Sequence, residues 1–88
     1  MVRDILVERG KSYGKYSDGV RVRKDLLKVL NMHSYTVRGE FLPEELVIPL
    51  GDIIMKLTRM AADPYHEDNY TDLAGYAELL REMHNEGK

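Results

Sequence analysis

Apolar residues recur at spacings of three and four along most of the chain, which predicts helices rather than strands. The firmest pattern predicts a helix over His66–Met83, whose apolar stripe consists of Tyr70, Leu73, Ala74, Ala77, Leu80 and His84. Asp63 and Pro64 supply a cap and a proline suited to the start of this helix. A second firm pattern predicts a helix over Leu50–Ala62, with buried positions at Ile53, Ile54, Leu57 and Met60 or Ala61. Because their connection is short, we expect these two helices to be antiparallel neighbours.

Weaker patterns precede this pair. Met1–Lys11 reads as a short amphipathic helix, and a further helix is expected from Ser17 or Asp18 to Met32. One row of that helix is formed by Val22, Leu26, Val29 and His33, and the row is broadened by Val20, Leu27, Leu30 and Asn31. Residues 34–42 alternate without a partner strand and are expected to be an ordered connection.

Proline marks the next helix. Pro43, followed by Glu44 and Glu45, suits a helix start, and Pro49 predicts either a kink or a new helix because an interior proline removes a backbone donor. The pattern as a whole predicts one all-α domain over residues 1–88, with about four helices around a central antiparallel pair.

Length and composition restrict how this domain is stabilised. A chain of 88 residues without cysteine has neither disulfides nor thiolate metal sites, and a domain this short buries only about 60% of the surface exposed in its unfolded form. We therefore expect a homo-oligomer. The charged start of the chain argues against a secretory signal, and no segment is apolar enough to cross a membrane, so we expect a cytoplasmic protein.

Charge is distributed unevenly along the chain. Residues 1–38 contain nine Lys and Arg against four Asp and Glu, whereas residues 39–88 contain four against eleven. A basic half can indicate an anionic partner, although the two halves can also neutralise each other on folding. The overall pI of about 5.9 makes a dedicated duplex-DNA binder an unfavourable interpretation.

Two stretches of the sequence contain residues suited to binding a ligand or a cation. The segment 11–19 combines positive charge, tyrosine rings and glycines, which suits contact with a phosphate and a base through Lys11, Tyr13, Gly14 and Lys15. A turn between two helices would explain the glycines equally well. On the last helix, Asp68, Asp72 and Tyr76 form a strip suited to a divalent cation or a cationic partner, or the two carboxylates simply favour the positive end of their helix.

Taken together, these motifs show a resemblance. The segment Lys11-Ser12-Tyr13-Gly14-Lys15-Tyr16-Ser17, the pair Lys56 and Arg59, and the final Asp68, Asp72 and Gly75-Tyr76-Ala77 resemble a group of small phage proteins. That group is similar to the MazG-like all-α nucleotide pyrophosphohydrolases. The resemblance implies a MazG-like fold, a phage protein acting in the cytoplasm of a host cell, and a nucleotide as the ligand.

The MazG-like pattern is only partly present. In those enzymes, Mg²⁺ is held by Glu-x-x-Glu on one helix and Glu-x-x-Asp on its antiparallel neighbour. Asp72 matches the last ligand, but Asn69 stands where a glutamate is expected, and Lys56 and Arg59 stand where the first acidic pair is expected. Only Asp52 and Asp68 could replace the missing carboxylates.

Lysine and arginine bind phosphate directly rather than through a metal. We therefore expect a protein that binds and sequesters a nucleotide or nucleotide-derived signal with no required cofactor. The expected ligand-binding residues are Lys11, Tyr13, Gly14, Lys15, Lys56, Arg59, Asp72 and Tyr76. One alternative is a Mg²⁺-dependent nucleoside triphosphate pyrophosphohydrolase, with Asp52, Asp68 and Asp72 as metal ligands. Another is a module that docks on a host protein. If the chain only binds, Asp72 is expected to pair with Lys56 or Arg59 across the two helices.

Overall fold

Three α-helices make up the described part of the chain. The structure is a computed structural model and describes residues 14–87. Its helices are α1 (Tyr16–Arg38), α2 (Glu44–Ala62) and α3 (Glu67–Glu86), and residues 14–87 contain no strand. The all-α prediction is confirmed for these residues, with three helices instead of the four expected for the whole chain. The helix predicted over Met1–Lys11 lies outside the described residues.

Helix α1 is longer than its sequence pattern predicts. The connection expected over residues 34–42 is wrong for its first half, because α1 continues to Arg38. Gly39 then ends the helix with a left-handed φ of 74°, and its N–H donates to the Tyr35 carbonyl over 2.8 Å. Glycine adopts this conformation without the steric cost that a side chain adds, so the helix ends where glycine permits it.

Polar side chains of α1 hold the connection to α2. The backbone N–H of Leu42 donates to Asn31 Oδ1 over 2.7 Å, and Ser34 Oγ donates to the carbonyl of Glu40 over 2.9 Å. The Tyr35 and Phe41 rings stack with their centroids 5.0 Å apart. These contacts turn the chain back within a few residues, so that α1 and α2 are antiparallel neighbours.

Helix α2 passes through Pro49 without a break. The expected kink or new start at this proline is wrong, because one continuous helix extends from Glu44 to Ala62. Pro49 lies in the second turn of α2, where its missing N–H removes a single helix bond, the one to the Glu45 carbonyl. The other backbone hydrogen bonds of α2 keep the helix continuous.

The turn into α3 uses Asp63 differently from the prediction. Asp63 does not begin α3 but ends α2: its N–H donates to the Arg59 carbonyl over 2.8 Å, and its Oδ1 accepts from the N–H of Tyr65 over 3.3 Å. Helix α3 begins after His66, and it extends to Glu86, past the predicted end at Met83.

Helix α2 lies between the other two helices. It packs against both α1 and α3, whereas α1 and α3 make no contact with each other. Ile54 is the single apolar side chain that is fully buried among the described residues. Within residues 14–87, none of the helices combines the length and apolar content that a bilayer-spanning segment requires.

Candidate functional site

A cation and a carboxylate join α2 to α3. Lys56 Nζ donates to Asp72 Oδ2 over 2.7 Å, which is the pairing expected across these helices. The Lys56 side chain is only 7% exposed, whereas that of Asp72 is 48% exposed. Asp72 therefore neutralises a buried ammonium group while keeping one side towards water.

This pair defines how the polar residues of the two helices align. In an antiparallel register that matches Lys56 with Asp72, Asn69 lies level with Arg59 and Tyr76 lies level with Asp52. Asp52, Arg59 and Tyr76 are all partly buried. We call this strip of the α2–α3 interface the polar seam, and its members are Asp52, Lys56, Arg59, Asn69, Asp72 and Tyr76.

Asn69 is the most deeply buried member of the polar seam. It is 1% exposed, and its side-chain Nδ2 has no hydrogen-bond partner. A buried donor left without a partner costs about 1–3 kcal/mol. Asn69 lies one helical turn from Asp72 on the same side of α3. An acceptor atom entering at this point would recover the lost hydrogen bond.

The buried row of α3 differs from the predicted one. The residues that face α2 are Asn69, Leu73, Tyr76 and Leu80, whereas Tyr70, predicted to be buried, is 46% exposed. The Tyr70 hydroxyl donates instead to the Pro64 carbonyl over 2.7 Å. Both rows have helical spacing. Because Asn69 is polar, the apolar pattern did not include it in the buried row. The signal that could have identified it is its spacing from Leu73, Tyr76 and Leu80.

The predicted ligand-binding residues fall into two groups. Four of them belong to the polar seam: Lys56, Arg59, Asp72 and Tyr76. Gly14 and Lys15 lie at the start of α1, where Lys15 occupies the N-cap position. Lys11 and Tyr13 lie outside the described residues. Because successive helices are antiparallel, the start of α1 lies at the same end of the molecule as the end of α2 and the start of α3.

The three carboxylates proposed as metal ligands are not brought together. Asp72 contacts Lys56, and Asp68 is exposed, with its Oδ2 3.8 Å from His66 Nε2. No group of three or more His, Cys, Asp or Glu residues within residues 14–87 could hold a metal ion.

Comparison with known proteins adds a family but no activity. The chain is 39% identical over 44 residues to the Gene 55 protein of Mycobacterium phage L5, and this match covers 50% of the chain and 27% of that protein. The chain thus spans about a quarter of the length of this relative. No solved structure matches. The family model described as a domain of unknown function, DUF6378, matches residues 2–84. The chain belongs to this family.

Proposed function

We propose that the protein binds a small molecule bearing phosphate, either a nucleotide or a nucleotide-derived signal, at the polar seam. The observation that carries this proposal is the buried Asn69 amide, which has no partner and lies one turn from the Lys56–Asp72 pair. An unpaired donor in a partly buried strip that also contains a guanidinium group is suited to a ligand with several acceptor oxygens.

The two cations have different roles in this proposal. Lys56 is already neutralised by Asp72 and holds that carboxylate in place. Arg59 is partly exposed, and it makes an interaction of its own. A guanidinium has five N–H donors, so Arg59 can bind a phosphate while keeping that interaction. Arg59 and Asn69 are therefore the residues proposed to contact the anion.

The arrangement of helix ends supports the same location. The N-termini of α1 and α3 lie at the end of the molecule to which Arg59 belongs, and helix N-termini attract anions through their unpaired N–H groups. Lys15 adds positive charge at the start of α1. Glu67 and Asp68 in the first turn of α3 offset part of this potential, so side-chain donors are expected to provide most of the affinity.

The phage relative supports a biological setting for this binding. A phage-encoded binder acting in the host cytoplasm could sequester a host nucleotide signal without consuming it.

Calorimetric titration of mono-, di-, tri- and cyclic nucleotides into the full chain tests the proposal. We expect Arg59→Gln to weaken binding by about 1.5–3 kcal/mol, the scale of a charged hydrogen bond. Asn69→Leu should also weaken it. Arg81→Gln is the matched control, because Arg81 is exposed and lies about 18 Å further along α3 than Asn69. No binding at millimolar concentration, or equal affinity in all three variants, would exclude this site.

Incubation of the same nucleotides with Mg²⁺ or a chelator separates binding from hydrolysis. A binder should retain its affinity in chelator and release no product. Mg²⁺-dependent release of pyrophosphate or monophosphate that is lost in Asp72→Asn would instead establish the pyrophosphohydrolase alternative.

A further inference from the structure

Asp72 has a second carboxylate oxygen that its contact with Lys56 does not use. Oδ2 accepts from Lys56 Nζ over 2.7 Å, and no group within residues 14–87 donates to Oδ1. The Asp72 side chain is 48% exposed, so a ligand can reach it from the solvent side. A carboxylate oxygen accepts hydrogen bonds, whereas the Arg59 guanidinium and the Asn69 Nδ2 donate them. The polar seam therefore offers a ligand both donors and an acceptor.

These groups follow one another in a fixed order along the polar seam. Arg59 and Asn69 lie level with each other and are the residues proposed to contact the anion. Asp72 lies three residues beyond Asn69, which is about 4.5 Å along α3. Tyr76, which is partly buried, lies one further turn along the same helix. A ligand that matches this order has acceptor oxygens at one end and a hydrogen-bond donor close beside them.

The covalent order of a nucleotide matches this arrangement. Its phosphate oxygens accept hydrogen bonds, and the hydroxyl groups of the adjoining ribose donate them, as they do to a carboxylate in dinucleotide-binding folds. An amino group of the base is also a donor, but the sugar separates the base from the phosphate. Because Asp72 is only one helical turn from Asn69, a phosphate held at Asn69 places the sugar, and not the base, beside Asp72.

We propose that Asp72 Oδ1 accepts a hydrogen bond from a ribose hydroxyl, so that the polar seam selects ribonucleotides over nucleotides without sugar hydroxyls. This inference rests on the proposed nucleotide binding and adds a specificity-determining residue to it. Lys56 is a positioning residue here, because its buried ammonium group fixes the carboxylate through Oδ2. A ligand without the hydroxyl would leave Oδ1 facing the bound sugar with no donor.

Calorimetric titration of the full chain with matched ligands tests this selection. The ligands are the four ribonucleoside 5′-triphosphates and their 2′,3′-dideoxy counterparts, which have the same bases and phosphates, all titrated in chelator to prevent hydrolysis. We expect the tightest-binding ribonucleotide to bind about 10- to 100-fold more tightly than its dideoxy counterpart, the scale of one hydrogen bond to a charged group.

The titrations also separate this inference from the proposed function. Nucleotide binding with equal affinity for both sugars would overturn the role of Asp72 and leave the proposed function intact. A preference only for bases that carry an amino group would overturn it too, because Oδ1 would then contact the base. Absence of any nucleotide binding would overturn both.

The variant Asp72→Asn assigns the preference to its residue. We expect the ratio of the two affinities to fall about tenfold, because a neutral amide oxygen is a weaker acceptor than a carboxylate. A loss of folded protein lowers both affinities by the same factor and leaves their ratio unchanged. The matched control is Glu78→Gln, since Glu78 is exposed and lies on a different side of α3. An unchanged ratio in Asp72→Asn, or an equal fall in Glu78→Gln, would show that Asp72 does not select the sugar.

Discussion

Removing the charge of Asp72 should destabilise the protein, because the buried Lys56 ammonium would lose its counter-charge. Lys56 Nζ lies 2.7 Å from Asp72 Oδ2, and its side chain is 7% exposed. In Asp72→Asn, a neutral amide oxygen would replace the carboxylate as acceptor. Breaking a fully buried pair costs about 3–5 kcal/mol. Because Asp72 is 48% exposed and admits water, we expect the free energy of unfolding to fall by about 2–3 kcal/mol, the scale of a charged hydrogen bond.

Replacing Lys56, the other member of the pair, should lower the free energy of unfolding much less than Asp72→Asn does. Lys56→Met keeps most of the aliphatic stem that packs between α2 and α3, and it leaves behind a carboxylate that water can reach. Replacing a buried charge with an apolar side chain of similar volume is often neutral or stabilising, so we expect a change within about 1 kcal/mol. When Asp72→Asn is added to Lys56→Met, it should lower the free energy of unfolding only slightly, because no buried ammonium group remains.

Urea denaturation followed by circular dichroism measures these differences. All variants are compared at one protein concentration, so that any self-association does not alter the comparison. For a domain of this size, a loss of 2–3 kcal/mol lowers the melting temperature by roughly 8–24 °C. Equal costs for the two single variants would refute this explanation. An unchanged cost of Asp72→Asn in the Lys56→Met background would refute it as well.

Further predictions concern the residues that shape α1 and its connection. Gly39→Ala should destabilise the protein by about 1 kcal/mol, because Gly39 has a φ of 74°. The control Gly19→Ala, within α1 and with nothing within 4 Å of an added Cβ, should stabilise it by about 0.4–1 kcal/mol. Thermal unfolding distinguishes these signs, and a loss of stability in Gly19→Ala would contradict the reasoning. Asn31→Ala should lower the free energy of unfolding by about 1–2 kcal/mol in the same assay, because the N–H of Leu42 would lose its acceptor. Unchanged stability would show that water replaces this bond.

The features that depend on local period and spacing could be predicted from sequence. The helical class, the α2–α3 hairpin and the contact between Lys56 and Asp72 all follow from residues near one another along two neighbouring helices. Helix ends were less accurate, because they depend on single residues. Helix α1 continues beyond the end of its apolar pattern, as far as Gly39. Pro49 removes only one backbone hydrogen bond, which is too few to end α2.

Burial on particular helix faces could not be predicted in the same way. On α1, the apolar row lies beside the contact with α2, so that apolar character did not identify the residues buried within the chain. On α3, a polar residue, Asn69, occupies the most buried position. Both cases have one physical origin: periodicity identifies a face, but only the arrangement of neighbouring helices determines what covers that face.

Stability and ligand binding make opposing demands on Asn69. A domain of this length has a free energy of unfolding of about 4–13 kcal/mol, and an unpaired buried amide costs about 1–3 kcal/mol of it. An apolar residue would continue the row of Leu73 and Leu80 without that cost. Asn69→Leu should therefore raise the melting temperature of the unliganded protein. The same change should reduce the further rise produced by a bound nucleotide, since the ligand would lose the donor proposed to contact it. The gain follows from the unpaired amide whether or not a ligand binds, so the loss of the nucleotide-dependent rise is the result that decides whether Asn69 acts in binding.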